Sequence, residues 1–154
     1  MTLKAGDPLP QLTLPDADGR ATPLAAAPGH KLVVYFYPKD STPGCTLEGQ
    51  DFTRLHGEFA AAATDVIGIS KDSAASHRRF ADKYSFNFTL LADTEQSACQ
   101  AFDVIHEKTN YGRKYMGVVR STFLFDAQGT LVREWRGVKV KEHAQAVLEA
   151  ARAI

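Results

Sequence analysis

The run Leu32-Val33-Val34-Tyr35-Phe36-Tyr37, closed by Pro38, constrains the fold more than any other stretch. Unbroken apolar character rich in β-branched and aromatic residues reads as a buried strand. Pro38 has no N–H to offer a sheet ladder, so the strand ends there. Lys39 to Gly44 hold turn formers and no large apolar group, which predicts a loop. A helix then starts with Thr42 as N-cap and Pro43 at its first position, and is expected to run to about Ala63. Cys45 becomes the third helical residue, among N–H groups with no helical carbonyl to bond and at the positive end of the macrodipole. A thiol in that place is expected to be acidic and nucleophilic. Cys45 also shares a helical stripe with Glu48, Phe52, Leu55 and Phe59. The same pattern is therefore compatible with a small, inert core side chain.

The rest of the chain alternates strands and helices. Gln11 to Leu14, followed by Asp18-Gly19, predicts an N-terminal hairpin, and Leu24 to His30 a loop. Val66 to Ser70 reads as a second buried strand. Asp72 or Ser73 caps a helix reaching Tyr84, and Phe88 to Leu91 is a short strand. Asp93 and Gln96 have capping-box spacing before a helix containing Ala98, Cys99 and Phe102. Asn110 to Gly117 is polar and reads as a surface loop. Val118–Phe125 and Thr130–Trp135 flank a turn and form a second hairpin. Val140, Ala144, Val147, Leu148, Ala151 and Ile154 make the apolar stripe of a closing helix. This order implies one α/β domain over residues 1–154, with a mixed central sheet flanked by helices.

Composition removes several function classes. Lys+Arg and Asp+Glu number 18 each, so no charge excess points to nucleic acid or an anionic membrane. No apolar run approaches the roughly 20 residues of a membrane span. The segment from Met1 to Pro8 lacks a signal-peptide core, which sets the expectation of a cytoplasmic protein. The two cysteines lack Cys-x-x-Cys or zinc-ribbon spacing. The five histidines, His30, His56, His77, His106 and His143, show no paired ligand spacing and read as surface or hydrogen-bonded residues. In a reducing compartment two such cysteines are either inert or catalytic.

Pro38, Thr42 and Cys45, spaced as Pro-x-x-x-Thr-x-x-Cys, resemble the active-site signature of the peroxiredoxins. The fuller Thr42-Pro43-Gly44-Cys45-Thr46-Leu47-Glu48 resembles the bacterioferritin comigratory protein, or peroxiredoxin Q, subfamily. Tyr115 to Phe125 is similar to that subfamily's arginine-bearing strand, and Trp135 to His143 to its C-terminal segment. The resemblance implies a thioredoxin-like fold with an N-terminal β-hairpin extension. It also implies a peroxidase that reduces hydrogen peroxide or organic hydroperoxides through a sulfenic acid on Cys45. Neither haem nor metal is needed, since sulfur carries the redox chemistry. Recycling would fall to thioredoxin, glutaredoxin or glutathione, in a monomer or weak homodimer. The alternative is a non-catalytic thioredoxin-like module with a redox-sensing or interaction role.

Thiolate supply alone cannot carry such a reaction. Lowering a thiol from about 8.5 to about 6 raises the thiolate fraction at neutral pH about 30-fold, or 2 kcal/mol. Nucleophilicity falls as the thiol becomes more acidic, so the larger contribution should come from donors preorganised around the leaving oxygen. Arg120 is the candidate cation, expected to alternate with Thr122 and Leu124 along its strand; a solvated arginine is the plainer alternative. The resemblance implies that Thr42 orients the peroxide and Pro38 shields Cys45 from water. Glu48 is either an orienting partner for Arg120 or an ordinary partner of the helix dipole. Trp135 is placed near the pocket only. Many relatives carry a resolving cysteine five residues after the first, where this chain has Gln50, or in the next helix, where Ser73 to Tyr84 has none. Cys99 is the only internal candidate for that role, and its place beside Phe102 is equally compatible with inert core. A cycle resolved by an outside thiol is therefore expected.

Overall fold

A computed structural model of the protein describes residues 3–154. Met1 and Thr2, the start of the segment read above as lacking a signal-peptide core, lie outside the described residues. The chain begins with a hairpin, Thr13–Pro15 (β1) against Ala21–Pro23 (β2). Its turn is held by the Asp16 carboxylate, which accepts from the N–H groups of Asp18 and Arg20. The buried run forms Lys31–Phe36 (β3), followed by Pro43–Arg54 (α1) and His56–Ala61 (α2). Thr64–Ser70 (β4), Ala74–Tyr84 (α3), Thr89–Ala92 (β5) and Ser97–Ala101 (α4) continue the alternation. Ile105–Asn110 (β6), Arg113–Val118 (β7), Ser121–Phe125 (β8), Leu131–Arg136 (β9) and His143–Arg152 (α5) complete it.

The central sheet runs β5-β4-β3-β8-β9. Its first three strands are parallel, β8 is antiparallel to β3, and β9 is antiparallel to β8. This is the mixed sheet expected from the alternation. Because side chains switch face at every residue, β3 feeds two separate cores. Leu32, Val34 and Phe36 pack with Cys99, Phe102 and Phe123 on one face, closed by α4 and the N-terminal hairpin. Val33, Tyr35 and Tyr37 pack with Cys45, Phe52, Phe80 and Val147 on the other, under α1, α3 and α5. No helix among the described residues is long and apolar enough to cross a membrane.

Several local expectations are corrected. The helix carrying Cys45 does not run unbroken to Ala63: it stops at Arg54, and Leu55 (φ −91°, ψ 2°) separates α1 from α2. Gly57, a poor helix former, lies just beyond the break, yet Phe52, Leu55 and Phe59 remain buried across it. The predicted loop Asn110 to Gly117 is instead part of the antiparallel ribbon β6–β7. Its two-residue turn, Tyr111-Gly112, has φ of 51° and 77°, the backbone sign that hairpin twist favours. Val118 to Phe125 is not one strand, since Val119 and Arg120 interrupt it between β7 and β8. Asp93 does cap α4, but by accepting from the N–H groups of Ala98 and Cys99 at 3.0 and 2.8 Å. Gln96, at φ 64°, holds the N-cap position without a side-chain bond.

Candidate active site

Tyr37 extends the line of β3 by one residue, its N–H donating to Ile69 O at 3.1 Å. Pro38 then ends the ladder. Ser41 takes a left-handed φ of 65°, and Thr42 sits extended at the N-cap of α1 with Pro43 first in the helix. The Thr42 hydroxyl does not cap a helical N–H; it donates to Lys39 O at 2.8 Å. Thr42 is thus an N-cap in position only, and its oxygen stays available as an acceptor. Cys45 follows as the third helical residue, in the first turn where N–H groups lack helical partners, and is 2% exposed.

Arg120 arrives from the short break before β8, the strand that pairs with β3 in the sheet. Its Nη2 donates to Cys45 Sγ at 3.4 Å while Nη1 donates to Glu48 Oε1 at 2.6 Å. One planar guanidinium therefore bridges two residues a helical turn apart. Because Arg120 is outside the strand, the expected alternation with Thr122 and Leu124 does not set its direction; the break does. Gly44 leaves it room, since a Cβ there would lie 3.2 Å from Nη2.

Glu48 is 1% exposed and lies beyond the first turn of α1, so it is not a dipole partner at the helix start. Burial pushes its carboxyl up to about 7, with the Arg120 charge acting in the opposite direction. Its second oxygen, Oε2, has no hydrogen-bond partner among the described residues. Burial opposes the charge on Arg120, yet Glu48 and then Cys45 hold the guanidinium above its ordinary value. His143 is buried beside this group, 2.8 Å from Thr122 Oγ1. Burial first, and then Arg120, lower its ring to about 4, so it is neutral at pH 7 and adds no second cation. Trp135 packs edge-on to His143 (centroids 5.8 Å) and carries Arg133 over its ring at 4.6 Å. It therefore borders the site one step removed from the sulfur.

Sequence reasoning missed two contributors. Lys108 on β6 is half-buried within electrostatic reach of both Arg120 and Cys45; burial, then Arg120, hold its ammonium below the ordinary lysine range. Nothing in the sequence marks it, because Lys108 falls between the helix containing Phe102 and the predicted loop Asn110 to Gly117, in a stretch with no strand signal. For His143 the sequence predicts a surface or hydrogen-bonded histidine; the structure shows the hydrogen bond to Thr122 and adds a buried place near Arg120, which the spacing alone does not reveal.

Cys99 is not brought to the site. It is 0% exposed in the core on the opposite face of the sheet from Cys45. Burial first, and then the Asp93 carboxylate, push its thiol far above the usual range.

Comparison with known proteins follows the same lines. The profile of the AhpC/TSA family matches residues 5–134. Peroxiredoxin Bcp of Xanthomonas campestris pv. campestris is 51% identical over 142 residues, covering 92% of this chain and 89% of that protein. Peroxiredoxin Bcp of Bacillus subtilis is 45% identical over 149 residues, covering 97% and 95%. Among solved structures, a Xanthomonas campestris bacterioferritin comigratory protein, studied for alkyl peroxide reduction in trapped intermediate and ligand complexes, superposes with a TM-score of 0.88. It is 47% identical and covers 96% of this chain and 98% of its own.

Proposed function

The chain belongs to the AhpC/TSA family, in its peroxiredoxin Q or bacterioferritin comigratory protein branch, and on that premise we propose that Cys45 is the residue at which it reduces peroxides. It is a thiol-dependent peroxidase with a thioredoxin-like fold. The Cys45 thiolate attacks one oxygen of the O–O bond. An S–O bond forms, the O–O bond breaks, and sulfur gives up two electrons to become a sulfenic acid. The departing oxygen keeps the bond pair, takes a proton and leaves as water or an alcohol. Arg120 is the preorganised donor for the charge that develops on that oxygen. Thr42, its own proton engaged by Lys39 O, accepts from the peroxide O–H, and Pro38 keeps bulk water from the sulfur. Glu48 orients Arg120, and Trp135 walls the outer edge.

Resolution falls to an outside thiol. Its sulfur attacks the Cys45 sulfur, an S–S bond forms, and the S–OH oxygen leaves as water; a second thiol then releases Cys45. The separation of Cys99 from Cys45 by the sheet and Gln50 at the motif position support this one-cysteine route. A protein thiol reaches a sulfur this buried only after the start of α1 opens locally. Thioredoxin, glutaredoxin and glutathione fit that role, in a cytoplasmic protein acting as one domain, monomeric or weakly dimeric.

The observation that carries the assignment of roles is the Arg120 bridge between Glu48 and Cys45. Intact mass after one equivalent of hydrogen peroxide tests it: wild type gains one oxygen, located at Cys45, and Cys45→Ser loses peroxidase turnover. A serine variant that retains full turnover would overturn the assignment.

A further inference from the structure

Beneath the loop bearing Pro38 and Thr42 lies a closed polar cluster that the chemistry above does not use. Asp40, 6% exposed, turns its carboxylate inward. Oδ1 accepts from the Tyr37 hydroxyl at 2.6 Å. Oδ2 accepts from Ser76 Oγ at 2.8 Å and faces His77 Nδ1 at 2.7 Å. His77 is 0% exposed, and its Nε2 lies 2.9 Å from Leu91 O. A carbonyl oxygen only accepts, so Nε2 carries a proton. The Asp40 N–H donates to Asp72 Oδ2 at 2.9 Å, which also accepts from Ser70 Oγ at 2.6 Å. Tyr37, Asp72 and His77 are thus the titratable groups that face Asp40 from the neighbouring elements.

A turn residue has no need of such an arrangement. Aspartate in a turn ordinarily bonds its own local backbone; Asp40 instead ties the loop to the end of β3, to the start of α3 and, through His77, to β5. A buried carboxylate is costly unless it is fully partnered, and here every partner comes from outside the loop. The neighbouring residue is Ser41, in a left-handed conformation that a non-glycine residue holds only when its surroundings impose it.

We propose that Asp40, clamped by Tyr37, Ser76 and His77, is a positioning residue of the peroxide site: it pins the loop 38–42 to α3 and keeps Pro38 and Thr42 set for the start of α1, where Cys45 lies. The inference rests on the peroxidase reading of Cys45. Release of the clamp frees the loop and uncovers the sulfur, which trades peroxide reactivity for access by larger reagents.

Two second-order rates on the full chain test this: oxidation of Cys45 by hydrogen peroxide, and its alkylation by iodoacetamide, which needs a reactive sulfur but no peroxide cradle. In Asp40→Asn, oxidation should slow by about tenfold or more, the scale of lost orientation, while alkylation is unchanged or faster. Ser76→Ala and Tyr37→Phe should move the ratio of the two rates in the same direction by a smaller factor. They carry the test if Asp40→Asn fails to fold. Parallel loss of both rates, or no change in their ratio, overturns the inference. A wild-type protein that reacts with peroxide no faster than free cysteine would instead sink the peroxidase reading itself.

Discussion

Arg120 does two things with one side chain, and its geometry sets what substitution should cost. Nη2 serves the sulfur and Nη1 the buried Glu48, a fork that the point charge of lysine cannot reproduce. Arg120→Lys should therefore lower the rate of Cys45 oxidation by about 10²-fold, the usual cost of one preorganised donor; stopped-flow oxidation measures it. Glu48 and His143 flank the same guanidinium and titrate in opposite senses. Glu48 is raised from 4.5 to about 7, so the folded state holds more protons than the unfolded one between those values. Its contribution to stability is full below pH 4.5 and is lost as pH rises to 7, by about 3 kcal/mol. His143 is lowered from 6.5 to about 4, so its contribution is full above pH 6.5 and is lost as pH falls towards 4. The two slopes oppose each other between pH 4.5 and 6.5. Urea unfolding across that window should show Glu48→Gln losing stability on acidification more steeply than wild type, and His143→Asn gaining it.

At the scale of elements, α1 must both present Cys45 at its first turn and lie close against its neighbours. Gly49 makes the close approach possible: a Cβ there would lie 2.3 Å from the Phe86 ring. Gly49→Ala should destabilise the fold by roughly 1–3 kcal/mol through overpacking, and Phe86→Leu in the same chain should recover much of it; denaturant midpoints of the cycle give the answer. The strand, loop and helix start around Cys45 were legible because each left a local mark: the apolar run, Pro38, and Thr42-Pro43. The ribbon β6–β7 left none. Its strands are exposed and polar along most of their length, so no alternation betrays them, and the turn was written only in the positive φ of Tyr111 and Gly112. The missed ribbon also hid Lys108 and the break that frees Arg120 from β8.

Across the whole molecule, the central sheet separates the two cysteines. Neither the period of two along β3 nor the position of Cys99 beside Phe102 could reveal this from sequence, because which face a helix covers depends on the crossover of the chain. The inward turn of Asp40 was equally hidden, since its partners lie 36 and 37 residues away on α3. If the sheet keeps the cysteines apart, Cys99→Ser should leave peroxide turnover with an external thiol within about twofold of wild type, and oxidised wild type should gain no intramolecular disulfide, as read by non-reducing peptide mapping. The account depends most on Cys45 being a peroxide-tuned sulfur and not merely a buried one. Its oxidation by hydrogen peroxide, followed by stopped flow beside free cysteine at pH 7, tests that directly. A rate at least about 10³-fold above the free thiol is expected, and a rate no higher than that of free cysteine would contradict it.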